Sequence, residues 1–114
     1  SLTYTRGVPP VINDPATTEI VRQVATTLLG PGGVVDTEQS MGGDSFAWYA
    51  ELVPGTYVRL GTHDPGTGAS RGDLHSATFD IDEGAIAVGA SLLAGTALAA
   101  LAEATGALAP DLVI

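Results

Sequence analysis

Cysteine and lysine are both missing from this chain of 114 residues. Without cysteine there is no disulfide framework and no thiolate metal site within the chain, a composition compatible with a reducing compartment. Without lysine, positive charge rests on Arg6, Arg22, Arg59 and Arg71, set against 13 Asp and Glu for a net charge of −9. No basic cluster exists to release counterions from a phosphate backbone, so nucleic acid is not an expected partner. The opening SLTYTRGVPP lacks the apolar core of a signal peptide, which gives the expectation of a cytoplasmic protein. Internal repeats, a nucleophile elbow, a phosphate loop and a Ser-His-Asp order are absent as well.

The length suits one small domain and not two. One uncharged run stands out, Ala85 to Ala102, flanked by Glu83 and Glu103. It touches the lower length for a bilayer span, but no Lys or Arg anchors either end. A soluble helix covered on most sides reads the same way, and that is the expectation here, with no membrane partner.

Along the chain, residues 2–12 read as an edge strand ending in an X-Pro run. Asn13-Asp14-Pro15 then starts a helix, with Asp14 as cap and Pro15 at the first helical position. Ile20, Val21, Val24, Ala25 and Leu28 form its apolar stripe, opposite Glu19, Arg22, Gln23 and Thr26. Gly30-Pro31 ends it. A short β-like run, Val34 to Gln39, leads to the glycine turn Met41-Gly42-Gly43-Asp44-Ser45 and a second helix expected to turn Phe46, Ala47, Ala50 and Tyr49 inward. Thr56 to Gly61 reads as a strand, residues 62–74 as a turn-rich loop, and Asp80–Glu83 as the acidic start of a last helix ending near Thr105 and Gly106. The order β, α, β, α, β, loop, α predicts an α/β layered domain.

Two places carry candidate chemistry. His75 lies in a loop among carboxylates, where a neutral ring nitrogen can bind zinc while Asp73 or Asp80 holds the other nitrogen. A solvated loop histidine gives the same pattern, and His63 in HDPG reads simply as a turn. Asp80, Asp82 and Glu83 lack the spacing and mid-loop glycine of a calcium loop and suit a helix start instead. The Gly42–Ser45 turn has backbone donors for an anionic group, or a cap in which Asp44 or Ser45 satisfies those donors itself.

In order, GVPPVINDP (7–15), MGGDSFAWY (41–49), VPGTYVRLG (53–61) and LHSATFDIDE (74–83) closely resemble the C-terminal part of the M20 family of zinc peptidases and amidohydrolases. The nearest branch is similar to the N-acyl-amino-acid, hippurate and auxin-conjugate amidohydrolases. The resemblance covers essentially the whole chain, yet only about the last third of a family member. It implies the second half of a layered α/β zinc-hydrolase catalytic domain, residues 13–114, preceded by the last strand of a lid and dimerisation domain, residues 1–12. Asn13 falls at the hinge between them. It also implies amide hydrolysis of N-acyl amino acids or related small amides by a metal-activated water, with two divalent zinc ions per intact subunit. His75 occupies the place of the family's last metal-binding histidine, and Gly42, Gly43 and Asp44 the place of a substrate-facing turn. Ala77 stands where the family usually has proline, and Asp44-Ser45 where Glu-Asp-Phe is typical. Most ligands and the general base belong to a part of the family not matched here. The 114 residues alone are therefore expected to hold no metal tightly and to be inactive, and the protein to be a homo-oligomer. The rival expectation is a non-catalytic α/β binding module that docks through its apolar last helix.

Overall fold

The computed structural model describes residues 1–63, 66 and 74–106. Three α-helices form: α1 (Pro15–Leu29), α2 (Phe46–Ala50) and α3 (Gly84–Thr105), with a 3-10 turn at Pro31–Gly33.

The start of α1 follows from its sequence. Asp14 is extended (φ −71°, ψ 131°), its carboxylate accepts the Thr17 N–H, and Pro15 fills a position whose N–H has no helical partner. The helix closes at Gly30, whose φ of 76° places it where a Cβ is unwelcome, with its N–H donating to the Thr26 carbonyl at 2.8 Å. Val24 and Ala25 are buried and Ile20, Val21 and Leu28 half-buried, while Glu19, Arg22, Gln23 and Thr26 face solvent. That is the expected stripe. At the far end of the chain, Asp82 accepts the Gly84 N–H on its carboxylate (2.8 Å) and the Ala85 N–H on its carbonyl (3.0 Å), so the acidic turn caps α3. Gly106 ends it in the left-handed conformation, φ 64°.

α1 packs against α3, burying Ala85, Gly95 and Ala102 on one side of it. The opposite side stays bare: Ile86, Leu93 and Leu101 are 61%, 75% and 61% exposed. These positions lie at i, i+7 and i+15, one continuous apolar stripe. The expectation of a helix covered on most sides is therefore not met among the described residues, where only α1 packs on it. By length and composition α3 can also span a bilayer, a test that the core helix of a soluble protein passes equally.

The expected strands are the second departure. Residues 2–12, 34–39 and 56–61 form no ladder, and no strand occurs among the described residues. A strand exists only through a neighbour that takes up its N–H and C=O groups, and no such ladder partner occurs for these segments among the described residues. Leu60 packs on α3 so closely that a Cβ on Gly89 would come within 3.0 Å of its Cδ2. Tyr57 meets Phe46 of α2 with ring centroids 5.7 Å apart. The buried hydrophobic set among the described residues is Val24, Ala25, Ala47, Ala85 and Ala102, with no large side chain fully enclosed. The radius of gyration, 17.1 Å, exceeds the roughly 13 Å of a compact chain of this size. The helices are well specified locally, and the layer that would complete a core is not among the described residues.

Candidate metal ligand and the turns around it

Among the described residues, His75 alone is a non-glycine residue with a positive φ, 68°. The left-handed region costs an L-residue about 1 kcal/mol or more, so something other than local preference holds this backbone. Ser76 supplies much of it. Its hydroxyl accepts the Thr78 N–H at 3.1 Å and pairs with the Thr78 hydroxyl at 2.9 Å, and its carbonyl accepts the Phe79 N–H at 3.2 Å. These bonds tighten the turn at Ala77. The His75 side chain is exposed, and its ring makes no hydrogen bond to a described residue. A free imidazole on a fixed turn is a competent metal ligand.

The carboxylates assigned around it have other engagements. Asp80 is exposed, and its Oδ1 accepts the N–H of Ile81, its own neighbour, at 2.9 Å. Asp82 caps α3. Asp73 lies outside the described residues. No group of three or more His, Asp or Glu side chains converges among the described residues. A zinc site needs three or four ligands, and His75 offers one.

The glycine turn settles into the capping arrangement. Asp44 accepts the Phe46 N–H on its carboxylate at 2.7 Å and the Ala47 N–H on its carbonyl at 3.1 Å, fixing the start of α2, while the Ser45 side chain takes no part. Gly43 has its own reason to be glycine, since a Cβ there would lie 2.7 Å from Cγ2 of Val8. Gly42 is exposed, with its N–H directed at the Ser40 hydroxyl, 3.4 Å away.

Asn13 does more than its expected place at a hinge conveys. Its side-chain amide donates to the Tyr57 carbonyl (3.0 Å) and accepts the Tyr57 N–H (2.8 Å) across 44 positions of sequence. Next to it the Asp14 N–H donates to the Gly55 carbonyl at 3.0 Å. The Thr56 hydroxyl lies 2.6 Å from that of Thr17 and 3.0 Å from that of Thr18. This polar knot escapes sequence reading because nothing in linear spacing pairs residue 13 with residue 57. An open groove of about 560 Å³ beside it, lined by Pro10, Asn13, Asp14, Glu51, Leu52 and Pro54 among others, includes neither His75 nor the Gly42–Asp44 turn.

Comparison with known proteins decides the family. The profile described as Peptidase family M20/M25/M40 matches residues 1–99. The chain belongs to that family. Membership implies an α/β hydrolase domain, although the described residues of this stretch are helical. Among curated relatives, a protein of Rhodococcus jostii provisionally named glutamate–cysteine ligase 2-3 is 44% identical over 105 residues, 92% of this chain and 13% of that protein. A provisionally named amidohydrolase of Bacillus subtilis, YhaA, is 38% identical over 84% of this chain and 24% of its own length. IAA-amino acid hydrolase ILR1-like 6 of Arabidopsis thaliana is 34% identical over 78% of this chain and 19% of its own length. The M20 chain thus spans a quarter or less of each of these relatives. The ligase name describes a protein of which the matched segment is a small part, so it does not compete with the family assignment. No solved structure matches the chain at comparable stringency.

Proposed function

We propose that this M20 segment serves in a metal-dependent amidohydrolase that cleaves N-acyl amino acids or related small amides. The observation that carries the reading is His75: a free imidazole held on a left-handed backbone, in a chain of this family. Hydrolase names among the relatives, including N-acetyl-L-cysteine deacetylase of Bacillus subtilis, support the reaction class. In the intact protein His75 holds one of two divalent ions, zinc by family resemblance. Bound metal of this kind polarises an amide carbonyl and makes water nucleophilic near neutral pH. The residues of this chain orient that chemistry. Ser76 fixes the turn bearing the imidazole, and Asp73 or Asp80 fixes the tautomer at its other nitrogen. Gly42 and Gly43, with Asp44 setting the direction of α2, form a wall of the substrate pocket.

Residues 1–12 are the end of a lid domain and residues 13–114 the C-terminal half of a layered α/β catalytic domain, with Asn13 at the crossing. The remaining polypeptide supplies strands beside segments 34–39 and 56–61 and a sheet surface under the bare side of α3. The enzyme is a cytoplasmic homo-oligomer acting on small molecules, with neither nucleic acid nor membrane as partner. The 114 residues alone are inactive, for want of the remaining ligands.

Metal analysis of the intact protein tests this. Two equivalents are expected in the wild type and fewer in His75→Ala, with hydrolysis of N-acyl amino acids lost in the variant. Unchanged metal content in the variant would sink the ligand assignment. A second reading, a non-catalytic module docking through α3, is favoured by the bare apolar side of that helix. It predicts a wild-type protein without metal.

A further inference from the structure

We propose that Asn13 is a positioning residue, whose amide latch carries the orientation of the crossing at residues 13–14 through segment 55–62 to the His75 turn. Its meaning for chemistry rests on the catalytic reading above.

The geometry starts from what an amide can do. Asn13 exchanges both bonds with one residue, donating to the Tyr57 carbonyl and accepting the Tyr57 N–H. Two residues of an antiparallel pair exchange bonds in this way through their backbones, and here a side chain imitates the partner strand. Among side chains of this length, asparagine alone offers a donor and an acceptor together; aspartate offers acceptors only. The helix does not need Asn13, because Asp14 already caps α1. The exposed amide is thus free for Tyr57, and the adjacent Asp14–Gly55 and Thr17–Thr56 bonds remove the slack beside it.

From Tyr57 the chain runs, outside any helix, to Thr62, whose carbonyl accepts the Asp82 N–H at 2.8 Å. Leu60, between the two ends, is seated on Gly89 of α3. Asp82 is both the cap of α3 and the close of the turn region that begins at His75. This segment is therefore pinned at residue 57 by Asn13 and at residue 62 by the turn that leads into α3. Residues 1–12 leave the body at the pinned end. Their direction and the placement of the His75 turn are set on one element.

Backbone amide exchange in the full-length protein tests the idea, with Val24 in α1 as the internal reference. In Asn13→Ala, Tyr57 is expected to exchange about tenfold faster, Asp82 also faster, and Val24 at the wild-type rate. Asn13→Asp keeps an acceptor for the Tyr57 N–H but loses the donor, and an intermediate rate is expected. An unchanged Tyr57 rate overturns the latch, and a faster Tyr57 with an unchanged Asp82 overturns the coupling. Parallel acceleration of Val24 makes Asn13 a merely structural residue and also overturns it. Should Asn13→Ala not fold, the aspartate variant decides by the same three amides, and in the wild type one Asn13 side-chain N–H must exchange about tenfold slower than a free amide. Exchange requires no turnover. A wild-type protein without metal therefore sinks the catalytic reading while leaving the latch to be judged on these rates.

Discussion

Replacing His75 by glycine and by alanine separates its two burdens, metal binding and backbone strain. Both variants lack the imidazole, so they differ only in what the backbone at φ 68° costs. Alanine carries the left-handed penalty, roughly 1–2 kcal/mol. Glycine escapes it, but its freer unfolded chain returns about 0.5–1 kcal/mol of that advantage. The glycine variant should therefore be the more stable of the two, by up to about 1.5 kcal/mol and by about 0.7 kcal/mol at the middle of these ranges. Urea unfolding of the full-length protein under chelation is the suitable assay, because bound metal would otherwise stabilise the wild type alone. With a urea dependence of about 1–3 kcal/mol/M, the midpoints should differ by a few tenths of a molar or more. Both variants should be equally deficient in metal. An alanine midpoint equal to or above that of glycine would refute the argument, since it would mean the turn relaxes out of the left-handed region once the imidazole is gone.

Three further outcomes follow from the packing. Asp14→Ala removes the acceptor for the Thr17 N–H and should cost about 1–2 kcal/mol in denaturant unfolding, with Asp14→Asn nearly silent. Gly43→Ala should destabilise by about 1–3 kcal/mol through its clash with Val8, and Val8→Ala in the same chain should recover most of it; additive losses in the double variant would mean that Val8 does not approach Gly43. Leu93→Glu probes the bare side of α3, where Leu93 is 75% exposed within this chain. If the intact protein covers that side, the substitution should cost several kcal/mol by burying an unpaired charge, and a change within about 0.5 kcal/mol would show that it faces water.

The helix ends were the most legible part of the sequence, because each is decided within a few residues. Asp14 with Pro15 starts α1, Gly30 stops it, and Gly106 stops α3, all through groups adjacent in the chain. The capping duty of Asp44 is one of two readings of this turn that can hold together, and the short bond to Phe46 shows the cap. His75 could be placed in a loop among acids, but not in a left-handed turn, since the enrichment of histidine in that region is too weak to assign a single position. The Asn13–Tyr57 pair was out of reach altogether, being a contact between segments 44 positions apart.

The expected strands and the expected cover of α3 are absent among the described residues for a shared reason. β-branched residues at 56–61 and the apolar run at 85–102 state a preference for burial, but burial is a relation between surfaces, and sequence shows only one side of it. α1 makes this concrete. It is amphipathic, with its polar side outward, so it closes one face of the structure toward water. α3 beneath it is apolar on the side facing α1 and again on the side facing away. A helix with one covered face and one bare apolar face sits between layers, and the second layer must itself be apolar and extended enough to lie along 22 residues of helix. Membership of this family implies an α/β domain, and a sheet answers that description.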